Sequence, residues 1–250
     1  MQMEAKKKLL TRRDFLVSAG GAAAGLALAT SGLGILTPKA EGAMVDLPEY
    51  PWTEYFNKPL DVERVRHLGA ENYRAGQGCS EGAFRALLTE LGEPFSFIPP
   101  QLMNFGKGGV VAWGTLCGAL NGACAAVSLV YGGQPMTLIV NELMAWYSAT
   151  PLPLEAEHRS VAGNPLCHAS IANWCKVSGK KASERGPRCA ALTGDVAAQA
   201  ALYMNQMLEG TFVPVFAMSE ETKACYDCHV GGFADDTLGK MDCKGCHEGH

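Results

Sequence analysis

Val110-Val111-Ala112-Trp113-Gly114-Thr115-Leu116-Cys117-Gly118-Ala119-Leu120-Asn121-Gly122-Ala123-Cys124-Ala125-Ala126-Val127-Ser128-Leu129-Val130-Tyr131 runs for 22 residues without a charged side chain. Such a stretch reads as a helix buried on all sides. Gly114, Gly118 and Gly122 recur every fourth residue, a strip that lets a second helix backbone approach closely. The stretch is long enough to span a bilayer, but Asn121 and two cysteines within it favour a core helix. Cys117 and Cys124 are seven residues apart, so they are expected to share one face of that helix.

Outward from this stretch the helical pattern continues. Asp61 is placed to cap a helix over 61–74, with Val62, Val65, Leu68 and Gly69 on one face. Further helices are expected over 80–91, stopped by Gly92 and Pro94, and over 136–148, stopped by Pro151-Leu152-Pro153. Two more fall near 166–176 and 195–208. No alternating strand pattern and no internal repeat is present. The expected fold is mostly α, a helical body with a buried Gly-rich central helix, followed by a short C-terminal segment with little core of its own.

The ends of the chain differ from this body. Lys6, Lys7, Lys8 and Thr11-Arg12-Arg13-Asp14-Phe15-Leu16 precede an uncharged run rich in Gly and Ala over 15–36. That is the pattern of a twin-arginine signal peptide, assigned to 1–42, and it predicts export to the periplasm. Residues 43–210 then form the helical Cys-rich domain and 211–250 the C-terminal segment. Removing 1–42 takes away six basic and three acidic residues and leaves 15 basic against 22 acidic, a net charge of −7. An acidic body with no dense basic stretch argues against a nucleic-acid partner, and no membrane association is expected once the signal is cleaved. A hydrophobic fraction of 48% with 18% charged residues excludes a disordered chain.

The C-terminal segment carries two C-x-x-C-H motifs, Cys225-Tyr226-Asp227-Cys228-His229 and Cys243-Lys244-Gly245-Cys246-His247. In each, two thiols add to the vinyl groups of one haem and the adjacent histidine reaches the iron. This predicts two haem c groups per chain on Cys225, Cys228, Cys243 and Cys246, with His229 and His247 as proximal ligands. The 14 residues between the pairs also approach a zinc-ribbon spacing. The two histidines and the exported compartment favour haem. His250 and His67 are the candidates for the distal positions, giving low-spin bis-histidine haems. His247 and His250 are too close in sequence to face each other across one iron, so His250 would serve another haem.

Six cysteines remain in the body: Cys79, Cys117, Cys124, Cys167, Cys175 and Cys189. Buried thiols, structural disulfides and iron–sulfur ligation all accommodate them.

Gly78-Cys79-Ser80-Glu81-Gly82-Ala83, then Cys117-Gly118-Ala119-Leu120-Asn121-Gly122-Ala123, then Cys167 and Cys189, resemble the C-GCAxxG-C-C redox proteins. With the two haem motifs appended, residues 60–250 resemble the split-Soret cytochrome c family. That resemblance implies a helical homodimer with the haems of both subunits clustered at its interface. It also implies an iron–sulfur site on Cys79, Cys117, Cys167 and Cys189, with Cys175 or Cys124 as substitutes. Twin-arginine export carries folded proteins, which suits a cluster inserted before export. The expected function is periplasmic electron transfer in anaerobic respiration, with redox partner proteins. The expected cofactors are two haem c and a [2Fe–2S] cluster. The alternative is a metal-centred oxidoreductase acting on a small substrate.

Overall fold

The computed structural model describes residues 47–243. The signal peptide assigned to 1–42 and the residues Cys246, His247 and His250 lie outside the described residues. Seven α-helices carry the described chain: α1 (Val62–Asn72), α2 (Gly78–Leu91), α3 (Gly118–Val130), α4 (Gly133–Ala149), α5 (Cys167–Ser178), α6 (Gly186–Leu208) and α7 (Glu220–His229). Two isolated β-bridges are the only extended pairing among the described residues. The fold is mostly α, as the periodicity predicts, and no described helix is long and apolar enough to cross a membrane.

Local signals account for several of the helix ends. The Asp61 carboxylate accepts from the Arg64 backbone N–H at 2.9 Å and caps α1. Gly92, at φ +74°, closes α2. Between α1 and α2 the backbone makes a π turn over Tyr73–Gln77, broken at Gly76, a device frequent at functional sites. The longest helix, α6, packs against α1, α2, α3 and α4. It starts nine residues before the expected 195, because Pro187 in its first turn is preset for helix. That earlier start puts Arg188 and Cys189 on the helix.

The Gly-rich stretch departs from expectation. Helix α3 begins at Gly118, so the 110–131 reading is corrected to its second half. Upstream, Gly108, Gly109, Val110, Val111 and Ala112 all have positive φ, from +48° to +69°. They form a left-handed turn, which costs an L-residue about 1–2 kcal/mol each. Two β-branched valines in this conformation mark strain held in place by the surrounding structure. The backbone then pairs with the start of α5: Cys117 N–H donates to Pro165 O, and Cys167 N–H donates to Thr115 O at 2.7 Å. Those bonds compete with helix and explain the late start. Gly114 is therefore not on the helical strip, and Cys117, as the residue preceding α3, does not share a helical face with Cys124.

The rest of the strip behaves as predicted. A β-carbon on Gly122 would overlap Ser80 O and approach Phe84 N at 2.9 Å, so α3 and α2 touch through backbone. The core around them is aliphatic and aromatic, with Phe84, Leu87, Leu120, Val127, Ile139 and Tyr147 fully buried.

Candidate metal centre and haem segment

Cys79, Cys117, Cys167 and Cys189 come from four places in the sequence and line one cavity of about 320 Å³. Each position follows from its local structure. Cys79 lies in the first turn of α2, just after the π turn. Cys117 precedes α3, Cys167 opens α5, and Cys189 sits in the first turn of α6. All four are free thiols. Cys124 and Cys175, the other body cysteines, do not line this cavity.

The thiols have been drawn together inside low-dielectric surroundings. Burial, then the neighbouring Cys117, pushes the Cys79 thiol up to about 12. Burial does the same to Cys167, with Cys117, Cys79 and Cys189 adding to the effect. Cys117 is raised too, mainly by burial. Thiolates bind metal, so these side chains surrender protons on ligation, and the ligating charge must be balanced nearby. Among the described residues no three such side chains converge on a single-ion site. Four thiols lining one cavity are a donor set suited to iron.

The rest of the lining escaped the sequence reading. Lys107, Arg185 and Arg188 bring three cations, Tyr73 and Tyr147 two phenols, and no carboxylate lines the cavity. The left-handed turn contributes Gly108, Val111 and Ala112, and its Trp113 is 82% exposed. The Gly108-Gly109 pair was the available signal for that turn, overshadowed by the apolar run beside it. Arg188 adjoins Cys189 in sequence, a hint of the same kind. Nothing in the sequence marks Tyr147.

The first C-x-x-C-H motif occupies the last turns of α7, with Ser219 as its cap: the Ser219 hydroxyl accepts from Thr222 N–H at 3.1 Å. His229 Nδ1 stands 2.7 Å from Asp236 Oδ1. A hydrogen bond from Nδ1–H fixes the tautomer that presents the Nε2 lone pair, as an iron-ligating histidine requires. The same bond holds the Asp236 carboxyl below its usual pKa. The segment is strapped to α4 by the buried Glu142 carboxylate, which accepts from Val215 N–H at 2.6 Å and Phe216 N–H at 2.5 Å. Lys240 Nζ adds a bond of 2.9 Å to Asn141 Oδ1. His67 lies away from the cavity lining on α1, its side chain 69% exposed and paired with Glu71 at 3.0 Å.

Comparison with known proteins identifies the family. Residues 78–203 match the family described as "Putative redox-active protein (C_GCAxxG_C_C)". The chain is 32% identical to the split-Soret cytochrome c of Desulfovibrio desulfuricans, over 95% of this chain and 94% of the relative. A solved structure of the split-Soret cytochrome c from that organism, described as holding a novel iron centre, superimposes with a TM-score of 0.71. That match covers 77% of this chain and 90% of the other, again at 32% identity. The chain belongs to the split-Soret cytochrome c family of redox electron-transfer proteins.

Proposed function

We propose that the mature protein is a periplasmic dihaem c-type cytochrome with an additional [2Fe–2S] centre, working as an electron relay. The observation that carries this reading is the gathering of Cys79, Cys117, Cys167 and Cys189 around one cavity, in a chain that also carries two haem-attachment motifs. These four thiolates would hold the cluster. Cys225, Cys228, Cys243 and Cys246 would attach two haems, with His229 and His247 as proximal ligands. His250 and His67 remain the distal candidates, and both haems would then be closed, low-spin and suited to electron transfer.

Two features support the relay. Val213, Val215, Phe233 and Leu238 are exposed on the C-terminal segment, apolar surface of the kind that covalent haems cover. Helix α4 touches both parts, with Glu142 strapping the haem segment and Tyr147 lining the cysteine cavity. Those residues are five apart, about 7.5 Å along a helix axis. Assembly as a homodimer would bring the haems of two subunits together at one interface and give the acidic mature protein a docking face for redox partners.

Total iron against covalent haem in anaerobically purified protein tests the reading. A ratio near two means about two non-haem irons per chain beside two haems. A ratio near one rejects the cluster, and absence of covalent haem rejects the cytochrome.

A further inference from the structure

We propose that Arg188 and Tyr147 are the hydrogen-bond donors that tune the iron–sulfur centre held by Cys79, Cys117, Cys167 and Cys189, raising its reduction potential. The inference rests on the cluster reading above and assigns two further residues to it.

Arg188 is only 7% exposed, and burying a guanidinium is costly unless a counter-charge accompanies it. Among the described residues it forms no ion pair with a carboxylate, and neither do Lys107 and Arg185. Its Nη2 donates to Ser170 Oγ at 2.5 Å, which fixes the plane of the group. Its Nη1 then stands 4.0 Å from Cys189 Sγ. Its Nε is buried with no hydrogen-bond partner. The cation is thus held beside the thiols with a donor to spare.

Tyr147 repeats the pattern from the opposite element. Its side chain is fully buried, and its hydroxyl lies beside the Cys117 thiol and the Ser170 hydroxyl without a hydrogen bond of full geometry to either. A buried, unsatisfied hydroxyl carries a desolvation cost that a thiolate acceptor would remove. Arg188 Nη1 and the Tyr147 hydroxyl thus stand beside sulfurs from two different places in the chain, Cys189 and Cys117.

The charges agree with this assignment. A [2Fe–2S] cluster with four thiolates carries a formal charge of minus two when oxidised and minus three when reduced. Lys107, Arg185 and Arg188 are the three cations in the lining, with no carboxylate among them. They balance the reduced state. Reduction adds one electron to the cluster, supplied in the test by dithionite, and the donors stabilise the extra negative charge on the sulfurs. Removing a donor or the cation therefore lowers the potential.

The experiment uses the full holoprotein with Arg188→Met, Arg188→Lys and Tyr147→Phe. Iron and acid-labile sulfide per haem are measured first, then the cluster is titrated by electron paramagnetic resonance with the haems as internal reference. Arg188→Met is expected to keep its iron and to shift the reduced-to-oxidised ratio at fixed potential at least tenfold, about 59 mV for one electron. Tyr147→Phe shifts it the same way by less. Arg188→Lys returns the potential toward wild type, and haem potentials do not move. Wild-type cluster potentials in Arg188→Met and Tyr147→Phe overturn the proposal, as does a common shift of cluster and haems. Should Arg188→Met lose its iron, Tyr147→Phe decides, and an unchanged potential there overturns the donor role. Wild-type protein without non-haem iron overturns the cluster reading and this inference with it, a result separable from a cluster that is present but insensitive.

Discussion

Gly118 packs so closely on Cys79 that no β-carbon fits between the helix α3 backbone and the cysteine sulfur. Helix α3 therefore fixes where Cys79 sits in the cavity. Gly118→Ala places a methyl against Cys79 Sγ and 2.8 Å from Gly106 O. The sulfur is the more mobile neighbour, so Cys79 is expected to rotate out of the site. Non-haem iron should fall by half or more while covalent haem is unchanged, read as the iron-to-haem ratio. Gly122→Ala meets backbone at Ser80 O and Phe84 N instead. It should cost stability, about 1–3 kcal/mol or more by the usual scale of overpacking, read as a lower Tm.

Cysteine-to-serine variants separate the two groups of body thiols. Cys79→Ser, Cys117→Ser, Cys167→Ser and Cys189→Ser each remove a cavity sulfur and are expected to lose most non-haem iron. Cys124→Ser and Cys175→Ser lie outside the lining and should retain it. Iron and labile sulfide per haem check all six. Full iron in a cavity variant, or loss in Cys124→Ser, would place the ligands elsewhere.

The sequence made the first two helices legible because their boundaries are set locally, by Asp61 at α1 and by Gly92 at α2. It made the cavity legible only through the spacing of cysteines. What it concealed are features created by long-range bonding. Cys117 leaves the helix because its N–H donates to Pro165, 48 residues on. Tyr147 becomes part of the site through the packing of α4, which periodicity records only as one more buried aromatic. The left-handed turn over 108–112 reads as helix by hydropathy, since Val110, Val111 and Ala112 are apolar regardless of the sign of φ.

Cys124 gives a pH dependence free of the cavity. Burial pushes its thiol from 9.0 up to about 12. A folded pKa above the unfolded value means that its contribution to stability is complete below about 9 and is lost as pH rises toward about 12. Wild-type protein should therefore lose stability between these limits more steeply than Cys124→Ala. Lysines and tyrosines titrate in both proteins and cancel in the difference. Urea midpoints at pH 7, 9.5 and 10.5 check this. A constant difference between the two proteins across that range would show that the thiol is not perturbed.

With a haem bound at the first motif, the Asp236 carboxylate would act on it through His229. Accepting a hydrogen bond from Nδ1–H at 2.7 Å, it gives the imidazole partial anionic character and makes Nε2 a stronger donor. A stronger donor stabilises ferric iron, so the bond would lower the potential of a haem attached to Cys225 and Cys228. Asp236→Asn keeps the size of the side chain but removes the charge. Its haem potential is expected to rise, with covalent haem content unchanged and the second haem unaffected. A spectroelectrochemical titration resolving the two haems measures this directly. Equal potentials in wild type and Asp236→Asn would show that the carboxylate only positions the ring, and a fall in potential would reverse the sign argued here.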